Sequence, residues 1–251
     1  MKKGVILAGG KGTRLLPATK ILNKHLLPVV NVPMITFPLV TLKSIGITDI
    51  LVISGGGHIG GFADYLKDGK SFGLDITYKV QTEAGGIAQA LSLSKDFVRG
   101  EEEFAVILGD NIFEPGVVTT NSSLGMGNAS IYLCPVEDNK RFGVPVFDPH
   151  SGKLTHIEEK PALPKNDLAV TGFYIYPKDV FEIVARLLPS NRGELEITDV
   201  NNEYIKAGRC NYSYIAGFWS DCGTPQSMVA SVKWFSQYVF DKDNKMFYTD
   251  K

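Results

Sequence analysis

The chain has 251 residues, 44% hydrophobic and 21% charged, with a formal net charge of -1; this is enough apolar sequence to bury a core, and it excludes both disorder and a broad basic field for a nucleic-acid backbone. No run approaches the length of a membrane span, and Met1-Lys2-Lys3 leads straight into a short apolar run with no cleavage site after it, so neither a membrane partner nor a secretory leader is expected. The three cysteines, Cys134, Cys210 and Cys222, lack C-x-x-C spacing and the four histidines are scattered, which points to a reduced, cytoplasmic location and against structural zinc.

In chain order, Gly4 to Ala8 reads as a buried strand. Gly9-Gly10-Lys11-Gly12-Thr13-Arg14 follows as a loop whose backbone N–H groups can approach an anion, with two cations beside them. A tight turn with solvated basic residues is the plain alternative. Met34 to Ser44 reads as a helix, Asp49 to Ser54 as a strand, Phe62 to Leu66 as a helix and Asp75 to Val80 as a strand. Ile87 to Phe97 is expected to be helical and Phe104 to Leu108 a fourth strand. Strand–helix alternation of this kind predicts the α/β class, a Rossmann-like, mostly parallel sheet covered by helices on both faces. Ligands bind such sheets at the carboxyl ends of strands, which places Gly9–Arg14 and Gly109-Asp110-Asn111 along one edge.

Beyond Glu114-Pro115 the pattern changes. Asn121 to Gly127 is polar and glycine-rich, Ala129 to Pro135 returns to strand, and Val144–Phe147 and Leu154–Glu158 flank a hairpin signal at Pro149-His150-Ser151-Gly152. Val170 to Tyr176 and Tyr212 to Ile215 read as strands, Val180 to Leu187 and Ile197 to Ala207 as helices. Thr224-Pro225 reads as an N-cap with proline at N1, and Met228, Val232, Phe235 and Val239 as the buried stripe of the helix it starts. With no repeat or linker, the expectation is one domain, 1–251. Its first lobe covers about 1–115, an inserted β-rich lobe about 116–222, and a C-terminal helix about 224–240.

The glycine loop is neither a P-loop nor a G-x-G-x-x-G fingerprint, since Leu15 stands where the third glycine belongs. Read with Lys24 and Leu26-Leu27-Pro28, it resembles the L-A-G-G-x-G-[ST]-R-L…K…L-L-P signature of sugar-1-phosphate nucleotidyltransferases. The resemblance runs from Lys3 to about Ser227. It includes Gln81 to Gln89, Leu108-Gly109-Asp110-Asn111, Glu158-Glu159-Lys160-Pro161, Val170-Thr171-Gly172, Arg192 to Asp199 and Trp219 to Thr224. The nearest branch is the one that transfers thymidylyl groups to glucose 1-phosphate, in a short form. Pro145-Val146 departs from the valine and acidic residue common in the family, and Cys222 from its threonine or alanine.

The resemblance implies a nucleotide site of Leu7, Ala8, Gly9, Gly10, Gly12, Thr13, Arg14, Gln81, Gly86 and Asp110. It implies a sugar-phosphate site of Asn111, Gly143, Glu159, Lys160, Val170, Thr171 and Arg192. Arg14, Lys24 and Lys160 carry the catalysis, and Asp110 with Asp221 binds Mg²⁺. The implied substrates are dTTP or UTP and a hexose 1-phosphate, and the family leaves a homo-oligomer open. A glutamine amide offers a donor and an acceptor together, which suits the imide edge of thymine or uracil. Read without the family, Asp110 reads as an Asx turn, Asp221 as a loop residue before a capped helix, and the plain alternatives are a turn at Gly85-Gly86 and a solvated strand end at Glu158 to Pro161.

Two rivals come from other classes. Gly55 to Gly60 does match G-x-G-x-x-G after a strand, with Glu83 at about the spacing of a dinucleotide site. It follows the second strand, however, and leaves the Gly9–Arg14 loop and Asp110 unexplained. A silent sugar-nucleotide sensor would be expected to lose Arg14, Lys24, Asp110 or Asp221, and all four stand. After Phe235 the sequence runs only to Lys251 through a polar stretch, Asp241 to Lys245, from which simple hyperbolic kinetics are expected.

Overall fold

The structure is a computed structural model, and it describes residues 1–119, 127–240 and 246–248. The polar stretches at 121–126 and 241–245 lie outside the described residues. In chain order the strands and helices are β1 Lys3–Ala8, β2 Pro28–Val29, β3 Val32–Pro33, α1 Thr36–Ser44, β4 Asp49–Gly55, α2 Ile59–Leu66, β5 Asp75–Gln81, α3 Ile87–Ser92, β6 Glu103–Leu108, β7 Ile112–Phe113, β8 Ala129–Pro135, β9 Gly143–Phe147, β10 Leu154–Glu159, β11 Leu168–Pro177, α4 Val180–Val184, α5 Ile197–Lys206, β12 Cys210–Tyr214, β13 Trp219–Ser220, α6 Pro225–Phe235, β14 Tyr238–Phe240 and β15 Met246–Tyr248. No helix among the described residues is long and apolar enough to cross a membrane.

The chain forms two compact units. The first takes Lys2–Ala84, Ile107–Thr119 and Gly217–Lys251; the second takes Gly85–Val106 and Thr120–Ala216. The cuts fall near 119 and 216, and 85–106 lies in the second unit. The reason is backbone pairing: Leu195 N–H donates to Gly85 O at 2.8 Å and Ala88 N–H to Leu195 O at 3.0 Å, which ties the start of α3 to the segment before α5.

In the first unit β4 lies between β1 and β5, all parallel, with Ala8 beside Ser54 and Gly55 beside Gln81. Three strands therefore end at one level, and the residues that follow them share an edge. Val5, Ile6, Ile50, Val52 and Ile53 are wholly buried, as near-continuous apolar strands of a parallel sheet must be. A second core of this unit joins Val29, Val32, Met34, Phe37, Ile112, Cys222, Phe235 and Tyr238. In the second unit the order is β12, β8, β11, β6, with β12 parallel and β11 antiparallel to β8. The expected hairpin forms as β9 and β10, which place Glu159 opposite Gly143 and Glu158 opposite Val144. The α/β class with a mostly parallel sheet and flanking helices is as expected.

Three elements differ from the sequence reading. The helix from Ile87 stops at Ser92 rather than Phe97, and i→i−3 turns follow it. Ser92 and Ser94 donate their hydroxyls to Gln89 O and Leu91 O, both at 2.7 Å, which is how serine competes with a helix's own ladder. The helix from Val180 ends at Val184, short of Leu187. The C-terminal helix α6 ends at Phe235 rather than about 240, and Val239 falls in strand β14; on the helix Phe235 is buried as expected, but Ser231 takes the buried place expected of Val232, which is exposed. The start of α6 is as expected: Thr224 Oγ1 accepts from Ser227 N–H at 3.1 Å, Ser227 Oγ accepts from Thr224 N–H at 3.0 Å, and Pro225 is at N1. This capping box satisfies orphan donors at the helix start. Thr224→Ala should therefore lower unfolding stability by about 1 kcal/mol while Thr224→Asp retains most of it, read from chemical denaturation.

Candidate functional site

The glycine loop of the first unit is shaped by what lies against it. Gly12 adopts a left-handed backbone, φ 65°, and starts a 3-10 turn over Thr13–Leu15. Its carbonyl accepts from Leu15 N–H at 2.9 Å and from Thr19 Oγ1 at 2.8 Å. Gly10 is a matter of space: a Cβ there would stand 3.0 Å from Lys24 Cε and 3.2 Å from Lys24 Nζ. A side chain at position 10 would push the ammonium away. At Gly9 the occupant is the Gln81 carboxamide, whose Oε1 fills the space a Cβ would need. Gln81 thus reaches from the end of β5 over the start of the loop, and Arg14, within the loop, is exposed.

Lys24 is paired with Asp110. Its Nζ donates to Asp110 Oδ2, and both side chains are only 13% exposed. Asp110 Oδ1 accepts from Asn111 Nδ2 at 3.0 Å, and Asn111 Oδ1 accepts from Trp219 Nε1 at 2.7 Å. Burial pulls the Asp110 carboxyl up, but the Lys24 ammonium and the Asn111 amide outweigh it and hold the group below the usual carboxylate range. Gly109 N–H donates to Leu7 O at 2.9 Å, which fixes this strand end against β1.

His25, wholly buried, supports the lysine's turn. Asn23 Oδ1 accepts from His25 N–H at 2.9 Å and stands 2.6 Å from ring Nδ1. Because that oxygen can only accept, Nδ1 carries the proton. Burial, and then the adjacent Lys24 charge, depresses the imidazole pKa to about 3. The ring lies close enough to Gly109 that a Cβ there would be 2.8 Å from His25 Cδ2 and 3.1 Å from Ala8 Cβ. Sequence reading passed over Asn23 and His25. The signal available was Asn23 two residues before the histidine, at the N-cap of a short turn.

Asp221 arrives by strand register. Trp219 pairs with Phe113 and Ser220 with Ile112, and one more antiparallel step carries Asp221 to the level of Asn111, next to Asp110. A Cβ on Gly223 would be 3.0 Å from both Asp221 Oδ2 and Arg14 Nη2. Burial pushes the Cys222 thiol up to about 12, and the charges of Asp110 and Asp221 push the same way, so both carboxylates act on one thiol. Among the described residues no group of three or more His, Cys, Asp or Glu could hold a metal. Two carboxylates still fit Mg²⁺, which keeps most of its shell for waters and phosphate oxygens. Lys24 already stands in as a cation on one of them.

The second unit gathers Gly143, Glu159, Lys160 and Arg192. Glu159 Oε1 is 2.9 Å from Lys160 Nζ and 3.2 Å from Arg192 Nη2, while Oε2 accepts from Thr198 Oγ1 at 2.5 Å. A Cβ on Gly143 would be 3.2 Å from Thr198 Oγ1. Arg192 also donates to Glu196 at 2.8 Å and lies 3.7 Å from Glu194, so three carboxylates surround one guanidinium. Burial raises the Asp199 carboxyl, and the charges of Glu196 and Glu159 raise it further. Asn202 clamps the strand below, accepting from Ile157 N–H at 2.7 Å and donating to Ile157 O at 2.9 Å. Thr198 and Asn202 were not singled out in the sequence. Their i, i+4 spacing on α5 against Ile157 and Glu159 at i, i+2 on β10 is the pattern that would have found them.

Gly86, with φ 95°, has a different neighbour: a Cβ would be 2.5 Å from Leu195 O, so here glycine serves a close backbone crossing. Val170 precedes an irregularity in the β11–β8 ladder. Next to it Thr171 is wholly buried, and its Oγ1 has no hydrogen-bond partner among the described residues. A buried hydroxyl without a partner is uncommon.

Residues 3–235 match the nucleotidyl transferase family. A glucose-1-phosphate thymidylyltransferase from Xanthomonas campestris pv. campestris (strain B100) is 43% identical over 232 residues, which is 90% of this chain and 78% of that protein. Among solved structures, a Bacillus anthracis protein titled as a glucose-1-phosphate thymidylyltransferase, in complex with sucrose, is similar with a TM-score of 0.86 at 44% identity. The match covers 96% of this chain and 98% of that one. A UDP-glucose pyrophosphorylase complexed with UDP-glucose is similar with a TM-score of 0.82 at 25% identity, covering 94% and 98%.

The buried imidazole makes a pH prediction. Its folded pKa of about 3 lies below the ordinary 6.5, so the unfolded chain binds a proton that the folded one refuses. The stability His25 provides is whole above pH 6.5 and is lost as pH falls toward 3. Unfolding free energy of His25→Gln should fall less steeply across that window, by up to about 1.4 kcal/mol per pH unit. Parallel slopes for the two proteins in denaturant titrations would contradict this.

Proposed function

The chain belongs to the nucleotidyl transferase family, and on that premise we propose that it joins dTTP to glucose 1-phosphate, giving dTDP-glucose and pyrophosphate. The observation that carries the reading is the Lys24–Asp110 pair set directly under a glycine loop at the end of β1. It puts a lysine, backbone amides and a carboxylate on one edge of a parallel sheet, where phosphates bind. The two thymidylyltransferase-named relatives stand at 43% and 44% identity and the uridine-diphosphate enzyme at 25%, which favours thymidylyl over uridylyl transfer.

A phosphate oxygen of the sugar phosphate attacks the α-phosphorus. The bond from that phosphorus to the β-phosphate oxygen breaks, and the electron pair leaves with pyrophosphate. The nucleophile is already an anion, so the side chains need only position groups and offset charge. In the first unit, Arg14 and the Gly9–Thr13 amides would hold the leaving pyrophosphate, with Leu7 and Ala8 beneath them, and Lys24 would stabilise charge at the α-phosphate. Gln81 would read the imide edge of the base. In the second unit, Lys160 would aim the attacking phosphate. Glu159 would accept from sugar hydroxyls, and Val170, Thr171, Gly143 and Arg192 would line the rest. Mg²⁺, held by Asp110 and Asp221, would offset negative charge on the phosphates. A reducing, cytoplasmic setting is part of the same reading, with Cys134, Cys210 and Cys222 all free thiols.

The test is pyrophosphate release from each of four nucleoside triphosphates against several hexose 1-phosphates, with Mg²⁺. dTTP and UTP should both react, dTTP faster, and CTP and GTP poorly; no release from any pyrimidine triphosphate would refute the assignment. Lys24→Ala should lower kcat by about 10²–10³, the usual loss when one preorganised charge is removed.

Thr171 supplies a separate check. Its hydroxyl makes no hydrogen bond among the described residues, so Thr171→Val should leave stability within about 0.5 kcal/mol. If the hydroxyl meets the sugar phosphate, the same change raises KM for that substrate and leaves KM for dTTP alone. A stability loss with unchanged kinetics would mean the partner lies inside the protein.

A further inference from the structure

The two oxygens of Asp110 are both in use. Oδ1 is held by Asn111, which Trp219 holds in turn, and Oδ2 carries the Lys24 ammonium. Both ends of the ion pair are mostly shielded from water. An ammonium and a divalent ion on one carboxylate oxygen would repel far more strongly there than in bulk solvent. We propose that Lys24 is the resident counter-cation of Asp110, and that a divalent ion and Lys24 exchange on this carboxylate. This rests on the reading of Asp110 as a metal-binding residue given above.

The surroundings favour exchange over simple blockage. Lys24 Nζ and Cε lie against Gly10, so the released ammonium stands beside the loop amides without crossing any side chain. An anion on that loop gives Lys24 a replacement partner and frees Asp110 in the same act. Asn111 and Trp219 keep the carboxylate from following the lysine. A buried carboxylate left with no cation at all is costly, so either lysine or metal should be on it at any time. A ligand that must first displace an internal competitor binds more weakly by the fraction of time its site is open.

The experiment is Mn²⁺ binding to nucleotide-free protein, followed by the electron paramagnetic resonance signal of free Mn²⁺. The proteins are wild type, Lys24→Met, Lys24→Gln and the double variant Lys24→Met/Asp110→Asn. Lys24→Gln retains an N–H donor for Asp110 and serves if Lys24→Met does not fold. Removing the charge should tighten Mn²⁺ binding by about tenfold or more, and Mn²⁺ should raise the melting temperature of the variant more than that of wild type. The double variant should lose the tight site. Equal Mn²⁺ affinity in wild type and both Lys24 variants, with binding still lost on Asp110→Asn, would overturn the exchange but leave Asp110 a metal residue. Binding indifferent to Asp110→Asn would overturn the metal reading itself, and the exchange with it.

Discussion

The first unit is organised around one pair of opposite charges removed from water. Lys24 and Asp110 are 86 residues apart in sequence and meet with most of both side chains covered. Such a pair survives only if each remaining polar atom is also satisfied, because the desolvation penalty competes with the attraction. That requirement explains several neighbours at once. Asn111 takes the second carboxylate oxygen and Trp219 takes Asn111. Gly10 leaves room for the ammonium, and Asn23 and His25 build the turn from which the lysine projects. The apolar strand ends of β1 and β4 exclude solvent beneath.

The second unit solves a different electrostatic problem. Glu159, Glu194 and Glu196 converge on Arg192, and Lys160 adds a second cation at Glu159. All of these groups but Glu196 are more exposed than Lys24 and Asp110, so solvent screens much of their interaction and their worth lies in orientation more than in stability. The rigid part is the mount below. The i, i+4 residues of α5, about 6 Å apart along a helix, face i, i+2 residues of β10, about 6.6 Å apart along a strand. Asn202 fastens the backbone of Ile157 and Thr198 the carboxylate of Glu159.

How much of this was legible depended on whether the signal was local. The strand–loop at Gly4–Arg14, the hairpin of β9 and β10, and the Thr224-Pro225 start of α6 rest on glycine, proline and capping chemistry within a few residues, and they were read from the sequence. The end of α3 was not, because Ser92 and Ser94 turn their hydroxyls on nearby carbonyls in a way that apolar periodicity does not register. Val232 fits an apolar stripe but is exposed, whereas Ser231, bonded to Ser227 O at 2.9 Å, is buried. Residues 85–106 looked continuous with what precedes them until their pairing with Leu195 was known. The glycines, lysines and aspartates of the site were visible as motifs. That Lys24 lies on Asp110, or that Arg192 is ringed by three glutamates, depends on contacts across long stretches of chain, and no local pattern carries it.

One backbone feature recurs in both units. Among the described residues, four that are not glycine have positive φ: Val30, Lys67, Lys160 and Cys222. Two of these directly follow a candidate carboxylate, Lys160 after Glu159 and Cys222 after Asp221. A left-handed residue with a side chain costs roughly 1–2 kcal/mol, so each turn must be held by its surroundings. At position 160 the holding bond is Lys160 N–H to Phe142 O at 3.0 Å. At position 222 it is Cys222 N–H to Ser220 Oγ at 3.2 Å, with the thiol anchored to Ser231 Oγ at 3.3 Å. In each case the chain turns sharply just after the acidic residue, at the end of a strand, so the carboxylate stays at the strand terminus and the chain leaves the edge. Cys222, the departure from the family's threonine or alanine, is therefore a buried anchor for this turn, filling space in a core that also holds Phe37 and Phe235.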